Sequence, residues 1–336
     1  MRKFIAIVLS LVLALSMTAC GAQEAAPAET NAPAAEAAAD TFKVAIIQQL
    51  DHSSLDEIRT AIETQLNTLA EEQGVAIEIS YDNGQNDTSM LTQIATQVVA
   101  DQADMIIPIA TLAAQYSVLA TENTDIPVVY AAISDPEGAG LTGIDTVTGV
   151  SDALNTPFIL DMMLAAQPDV QTVGLLYSTS EVNSEAPIAE AKAYLESKGI
   201  EYLEKTGTTS GEIVEAAASL VGRVDAVFTP TDNVVMAAEA SVAELLNESG
   251  IAHYTGADSF VQSGAFTTCG VNYTELGTQA ADMAFDILMG GDIGDFQVMD
   301  GGIITVNTDT AEAIGVDYEV FNTMANTVNA VTTTVD

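Results

Sequence analysis

FKVAIIQQLDHSSLDEIRTAIETQLNTLAEEQGVAIEISYD, residues 42–82, reads as strand, helix, strand. FKVAIIQQ is an apolar run of strand length. Leu55, Ile58, Ile62, Leu66 and Leu69 then recur at helical spacing, and Gly74 supplies the stop. AIEISYD is the next strand. Connections this direct make the two strands parallel, with the helix packed across them. Outward from this unit the alternation continues. DTSMLTQIATQVVADQ (87–102) is a helix opening on Asp87 and Thr88, and DMIIPIA, LAAQYSVLATEN and IPVVYAAIS supply strand, helix and strand.

At TGVSD, residues 148–152, the pattern resets. A helix over 157–166 leads into VQTVGLLYS, a strand of the same character as the first, and a second βα series runs through IAHYTGAD, residues 251–258. NVVMAAEASVAELLNESG, residues 233–250, reads as one helix of that series. The fold class is therefore α/β, with two similar halves of about five strands each and a cleft between them. The competing architecture, one sheet of nine or ten strands, does not account for the reset at mid-chain. In open α/β sheets, ligands bind beyond the strand C-termini, so the polar residues just past each strand are the candidates for function.

The first residues point to export. Arg2 and Lys3 are followed by a nearly unbroken apolar run over residues 4–15 and then by small residues up to Cys20. That order marks residues 1–19 as a signal segment, and the run falls short of the ~20 residues that span a bilayer. A cysteine at the cleavage point resembles the lipobox of bacterial lipoproteins, which implies a lipidated Cys20 and a membrane-anchored, extracytoplasmic protein. Residues 21–40, GAQEAAPAETNAPAAEAAAD, are too poor in large apolar side chains to fold and read as a flexible linker.

Past residue 19, six basic side chains stand against all 48 acids. So acidic a surface repels phosphate backbones, which excludes nucleic acid as a partner. The two cysteines are Cys20 and Cys269, so with Cys20 lipidated no internal disulfide is available. The chain has two histidines, His52 and His253, and shows no nucleophile elbow, phosphate loop, HExxH or paired cysteines. A metal site would need carboxylates alone. An exported α/β chain without these motifs reads as a binder, with no cofactor and no catalytic residue. Hydrolysis by two acids, Asp232 and Asp258, is the enzymatic alternative.

Polar residues follow the strands: Asp51, His52, Ser53 and Ser54; Thr111; Ser134 and Asp135; residues 178–184; Thr231, Asp232 and Asn233; Asp258 and Ser259. Each is also a residue type that caps helices. Together they would line one rim, where helix N-termini and hydroxyls can hold a carboxylate without arginine. An acid such as Asp232 would then pair with a ligand ammonium.

DHSSLDEIRTAI, PIATLAAQ, VYAAISDPEGAGL with VTGVSD, YSTSEVNSE, FTPTDN and GVNYTELGTQAA resemble the solute-binding components of ABC transporters. More narrowly, they resemble the subgroup associated with tryptophan, phenylalanine and tyrosine. The resemblance covers about residues 42–310. It implies a two-lobed periplasmic-binding-protein fold of type I with three hinge crossings. Lobe one would be 41–152 plus 274–292, its helix over 274–290 returning from lobe two; lobe two would be 153–273 plus 293–336, with a closing strand at 303–306. It further implies a monomer that hands a small amino acid-like solute to a membrane permease driven by a cytoplasmic ATPase. The same fold also serves as a ligand sensor for signalling receptors and as a carrier of branched-chain amino acids or other solutes, and these stay open as alternatives. Carried over by position, Thr111 and Ala113 would bind the ligand carboxylate, with Asn183 and Ser184 closing over it. Ser134 and Asp135 would face the hinge, Asp232 would pair the ammonium with Asp258 as a second acid, and Asp51 and His52 would border the side-chain pocket. Tyr81, Tyr130, Tyr177 and Phe228, at strand ends, are candidate rings for that pocket.

Overall fold

The computed structural model describes residues 41–334. The expected signal segment, Cys20 and the linker 21–40 lie outside the described residues. The first stretch runs β1 (Thr41–Gln48), α1 (Ser53–Gln73), β2 (Ala76–Asn83), α2 (Thr88–Ala100), β3 (Met105–Ile109), α3 (Thr111–Thr121), β4 (Val128–Ala131) and β5 (Val147–Ser151). The second runs α4 (Thr156–Ala166), β6 (Thr172–Ser178), α5 (Glu185–Lys198), β7 (Glu201–Gly207), α6 (Ser210–Ala218), β8 (Ala226–Thr229), α7 (Asn233–Met236), α8 (Glu239–Glu248), β9 (Ala252–Thr255), α9 (Asp258–Gln262) and β10 (Thr267–Gly270). The chain then returns through α10 (Tyr273–Leu288) and β11 (Gln297–Val298) before β12 (Ile303–Asn307), α11 (Thr308–Ile314) and β13 (Thr327–Val331).

Two sheets result, with orders β11-β5-β4-β3-β1-β2 and β13-β12-β10-β9-β8-β6-β7. Within them every strand pair is parallel except β10 with β12. Two sheets, not one, dispose of the single-sheet alternative. The strand counts exceed five per half because β11, β12 and β13 come from the returning chain. Central strands β3, β4 and β8 are buried along their whole length, as strands covered on both faces are, whereas edge strands β2 and β7 are largely half-buried or exposed.

The chain passes between lobes at residues 152–155, 271–272 and 299–302. Helix α10 returns to the first lobe and lies along α1. Their approach is set by Gly277, where a Cβ would stand 2.6 Å from the Ile58 carbonyl oxygen. Residues 297–298 pair with Val150 and Ser151, so the first sheet takes chain beyond position 292. The helix expected over 233–250 is broken at Ala237 and Ala238. The break has a cause in tertiary contacts. Asp232 caps the four-residue α7, whose Met236 lines the cavity between the lobes, while in α8 the buried Glu239 meets His253 Nδ1 at 3.0 Å. No helix among the described residues is long and apolar enough to cross a membrane.

Candidate functional site

The C-terminal ends of β1, β3 and β4 face those of β6, β8 and β9 across a cavity. His52, Leu55, Thr111, Ser134, Asp152 and Tyr273 line it from the first lobe and its crossings, and Asn183, Thr231, Asp232, Met236, Ala257 and Phe260 from the second. Its volume is ≈ 20 Å³, room for about one water molecule. Four hydrogen bonds tie the lobes at this seam: Gln49 Nε2 to Glu181 Oε1 (2.7 Å), His52 Nε2 to Asn233 Oδ1 (3.0 Å), Ser54 Oγ to Ser259 Oγ (2.5 Å) and Ser134 Oγ with Thr231 Oγ1 (2.8 Å). The conformation is closed.

Two non-glycine residues at strand ends have positive φ: Ala110 after β3 (φ 73°) and Ala132 after β4 (φ 59°). Both line the cavity, and backbone strain of this kind collects at sites that the rest of the fold over-determines. At Ala110 it turns the chain so that α3 begins at the cavity wall, with the buried Thr111 as its first residue and no side-chain cap. The Leu112 N–H of that turn donates to Gln49 Oε1 at 3.0 Å.

Asp152, at the first crossing, is buried and accepts from Ser134 Oγ (3.0 Å) and Tyr273 OH (3.1 Å). Burial raises its carboxyl above the usual value, and those two donors pull the other way. Asp232 is fully buried as well, but its own lobe spends it. Ser178 N–H and Ser184 Oγ donate to Oδ2 at 2.6 and 2.7 Å, and Val235 N–H to Oδ1 at 2.9 Å. Glu181 holds the seam from the loop after β6. It accepts from Gln49 and, at 2.6 Å, from Asn233 Nδ2. Burial, reinforced by Asp232, pushes its carboxyl up to about 7. No arginine or lysine lines the cavity.

Of the residues singled out from sequence, His52, Thr111, Ser134, Asn183 and Asp232 line the cavity. Asp51, Ala113, Asp135, Ser184 and Asp258 are not among its lining residues. Asp51 is exposed and bonded to Asn83 and Tyr81, and Ala113 is packed in the first lobe's core. Asp135 caps the Gly138 N–H at 2.9 Å, and Ser184 holds Asp232. Asp258 sits where α9 meets α1, its carboxyl pushed up to about 6 by burial and by Glu57. Tyr130 and Phe228 are core, and Tyr81 lies on the surface under Arg59. The rings at the cavity are instead Phe260 and Tyr273. Asp152, Phe260 and Tyr273 were missed, although Asp152 directly follows a fully buried strand, and Glu181 was read only as one of the rim residues 178–184. Cys269 is buried, and burial raises its thiol to about 11, which disfavours the thiolate. Among the described residues no cluster of His, Cys, Asp and Glu is placed to hold a metal ion.

A family model described as ABC transporter substrate binding protein matches residues 43–327. A tyrosine-binding protein from Clostridioides difficile is 32% identical over 324 residues, 93% of this chain and 92% of that protein. A Streptococcus pneumoniae ABC domain solved in complex with L-Trp is 30% identical, with TM-score 0.79 over 86% of this chain and 100% of that one. The ligand-free, open structure of a Clostridium difficile substrate-binding protein with adhesive properties is 32% identical but reaches TM-score 0.65, over 87% of this chain and 100% of that one. The chain thus overlays better on the complex than on the open form despite slightly lower identity, in keeping with the closed seam.

Proposed function

The chain belongs to the ABC transporter substrate-binding protein family, and on that premise we propose that it captures an aromatic amino acid between its lobes and presents it to a membrane permease. It binds and does no chemistry. Asp152 carries the reading: a buried carboxyl at the hinge, bonded to neutral donors alone, is a place for a ligand ammonium. Asp232, already accepting three hydrogen bonds, has little capacity left for that role. The ligand carboxylate goes to the start of α3, at the Thr111 hydroxyl. The ring lies among Leu55, Met236, Phe260 and Tyr273. The relatives that bind tyrosine and tryptophan support this ligand class.

Capture works as a population shift, in which contacts made in the closed state alone pull the lobes together. Export, lipidation at Cys20, action as a monomer and coupling to a cytoplasmic ATPase complete the proposal. Isothermal titration with L-Tyr, L-Trp, L-Phe and L-Leu tests it. Binding of aromatic amino acids, weakened at least about tenfold by Asp152→Asn, is the expected result. Binding of none of them would overturn the ligand assignment, and unchanged affinity in the variant would overturn the role of Asp152.

A further inference from the structure

Two polar atoms in the cavity-lining residues have no hydrogen-bond partner, Nδ1 of His52 and Oδ1 of Asn183, and both are buried. Their neighbours fix what they can do. Glu181 Oε2 accepts from the Asn233 amide nitrogen at 2.6 Å, so the Asn233 oxygen faces His52. His52 Nε2 is then the donor of their 3.0 Å bond. Burial lowers the His52 pKa, against the Asn233 bond and the charges of Asp56 and Asp51. Burial thus favours the neutral ring, in which Nδ1 presents a lone pair. Asn183 donates its amide nitrogen to the Thr231 carbonyl at 2.8 Å, which leaves Oδ1 as a bare acceptor. Buried acceptors without donors are costly, so a site with two of them is built for a ligand that brings donors.

The two atoms belong to residues other than those that form the proposed ammonium site. Ser134 and Tyr273 bond to Asp152 at the first crossing, and His52 bonds to Asn233. Thr231 stands between, its hydroxyl on Ser134 and its carbonyl on Asn183. A carboxylate, which only accepts, cannot satisfy Nδ1 of His52 or Oδ1 of Asn183. We propose that His52 and Asn183 determine specificity by accepting a hydrogen bond from a hydroxyl or N–H on the ligand's ring, so that the cleft selects a phenol or an indole over a plain phenyl ring. This rests on the aromatic amino acid reading above.

Titration of the wild-type protein with L-Tyr, L-Trp and L-Phe tests the selection without any substitution. L-Tyr or L-Trp binds at least about tenfold more tightly than L-Phe, because a site built for a donor rejects the analogue lacking it. In His52→Leu and Asn183→Leu, each measured separately, that ratio falls toward one through loss of affinity for the donor-bearing ligands. A purely structural role for either residue would weaken all three ligands together and leave the ratio in place. L-Phe binding within twofold of both others would overturn this inference and leave the aromatic reading standing. Binding of none of the three would overturn both.

Discussion

Glu181 is where lobe closure meets the proton. Its carboxylate touches the first lobe through Gln49, and the ionisable group bearing on it is Asp232; Gln49, Asn183 and Asn233 are neutral. A carboxyl whose folded pKa is raised from 4.5 to about 7 keeps its proton in the folded protein where the unfolded chain has lost it. Stability therefore falls as pH rises through that window. Thermal melts at pH 5 and pH 8 should give the lower melting temperature at pH 8, with a smaller difference in Glu181→Gln. An unchanged difference in the variant would remove Glu181 from the account. Residues of this kind were barely legible beforehand. Ser, Thr, Asp and Asn after a strand cap helices and bind ligands with the same atoms, and sequence cannot tell Asp232, which caps a helix and accepts three hydrogen bonds, from Asp152, which accepts two at a crossing. Glu181 sits among loop hydroxyls with nothing in its neighbours' identities to show that a glutamine from the other lobe would bury it.

Elements were more legible, because parallel strands buried on both faces leave continuous apolar runs and amphipathic helices leave a 3.6-residue period. What escaped was decided by contacts distant in sequence: the split between α7 and α8, and the two-residue β11. The α1–α10 pair shows such a contact in its sharpest form. In an open helix position Gly→Ala stabilises by about 0.4–1 kcal/mol. At Gly277 the added methyl would meet the Ile58 carbonyl at 2.6 Å and Ala61 Cβ at 2.8 Å. Gly277→Ala should instead destabilise by about 1–3 kcal/mol, seen as a lower denaturant midpoint. A raised midpoint would mean that α10 can shift away from α1 at no cost.

For the whole molecule, the working coordinate is the angle between lobes, and Ser54 with Ser259 offers a handle on it. Their hydroxyls meet across the seam at 2.5 Å. Replacing both with cysteine should yield a cross-link on oxidation, since the remaining described cysteine, Cys269, is buried. The oxidised double variant should neither admit added ligand nor release ligand trapped before oxidation, and reduction should restore exchange. Free exchange in the cross-linked protein would show that the ligand enters by another path.

The three crossings also order events in time. Leu55, Ile58, Ile62 and Leu66 of α1 are buried, and α10, more than two hundred positions further on, lies against that helix. Strand β11, which borders β5, lies further on still. While the chain is being synthesised, the lobe that begins first thus waits for residues more than two hundred positions further on before it can be completed. Until then it presents an open apolar flank, the kind of surface that holding chaperones grip and aggregation exploits.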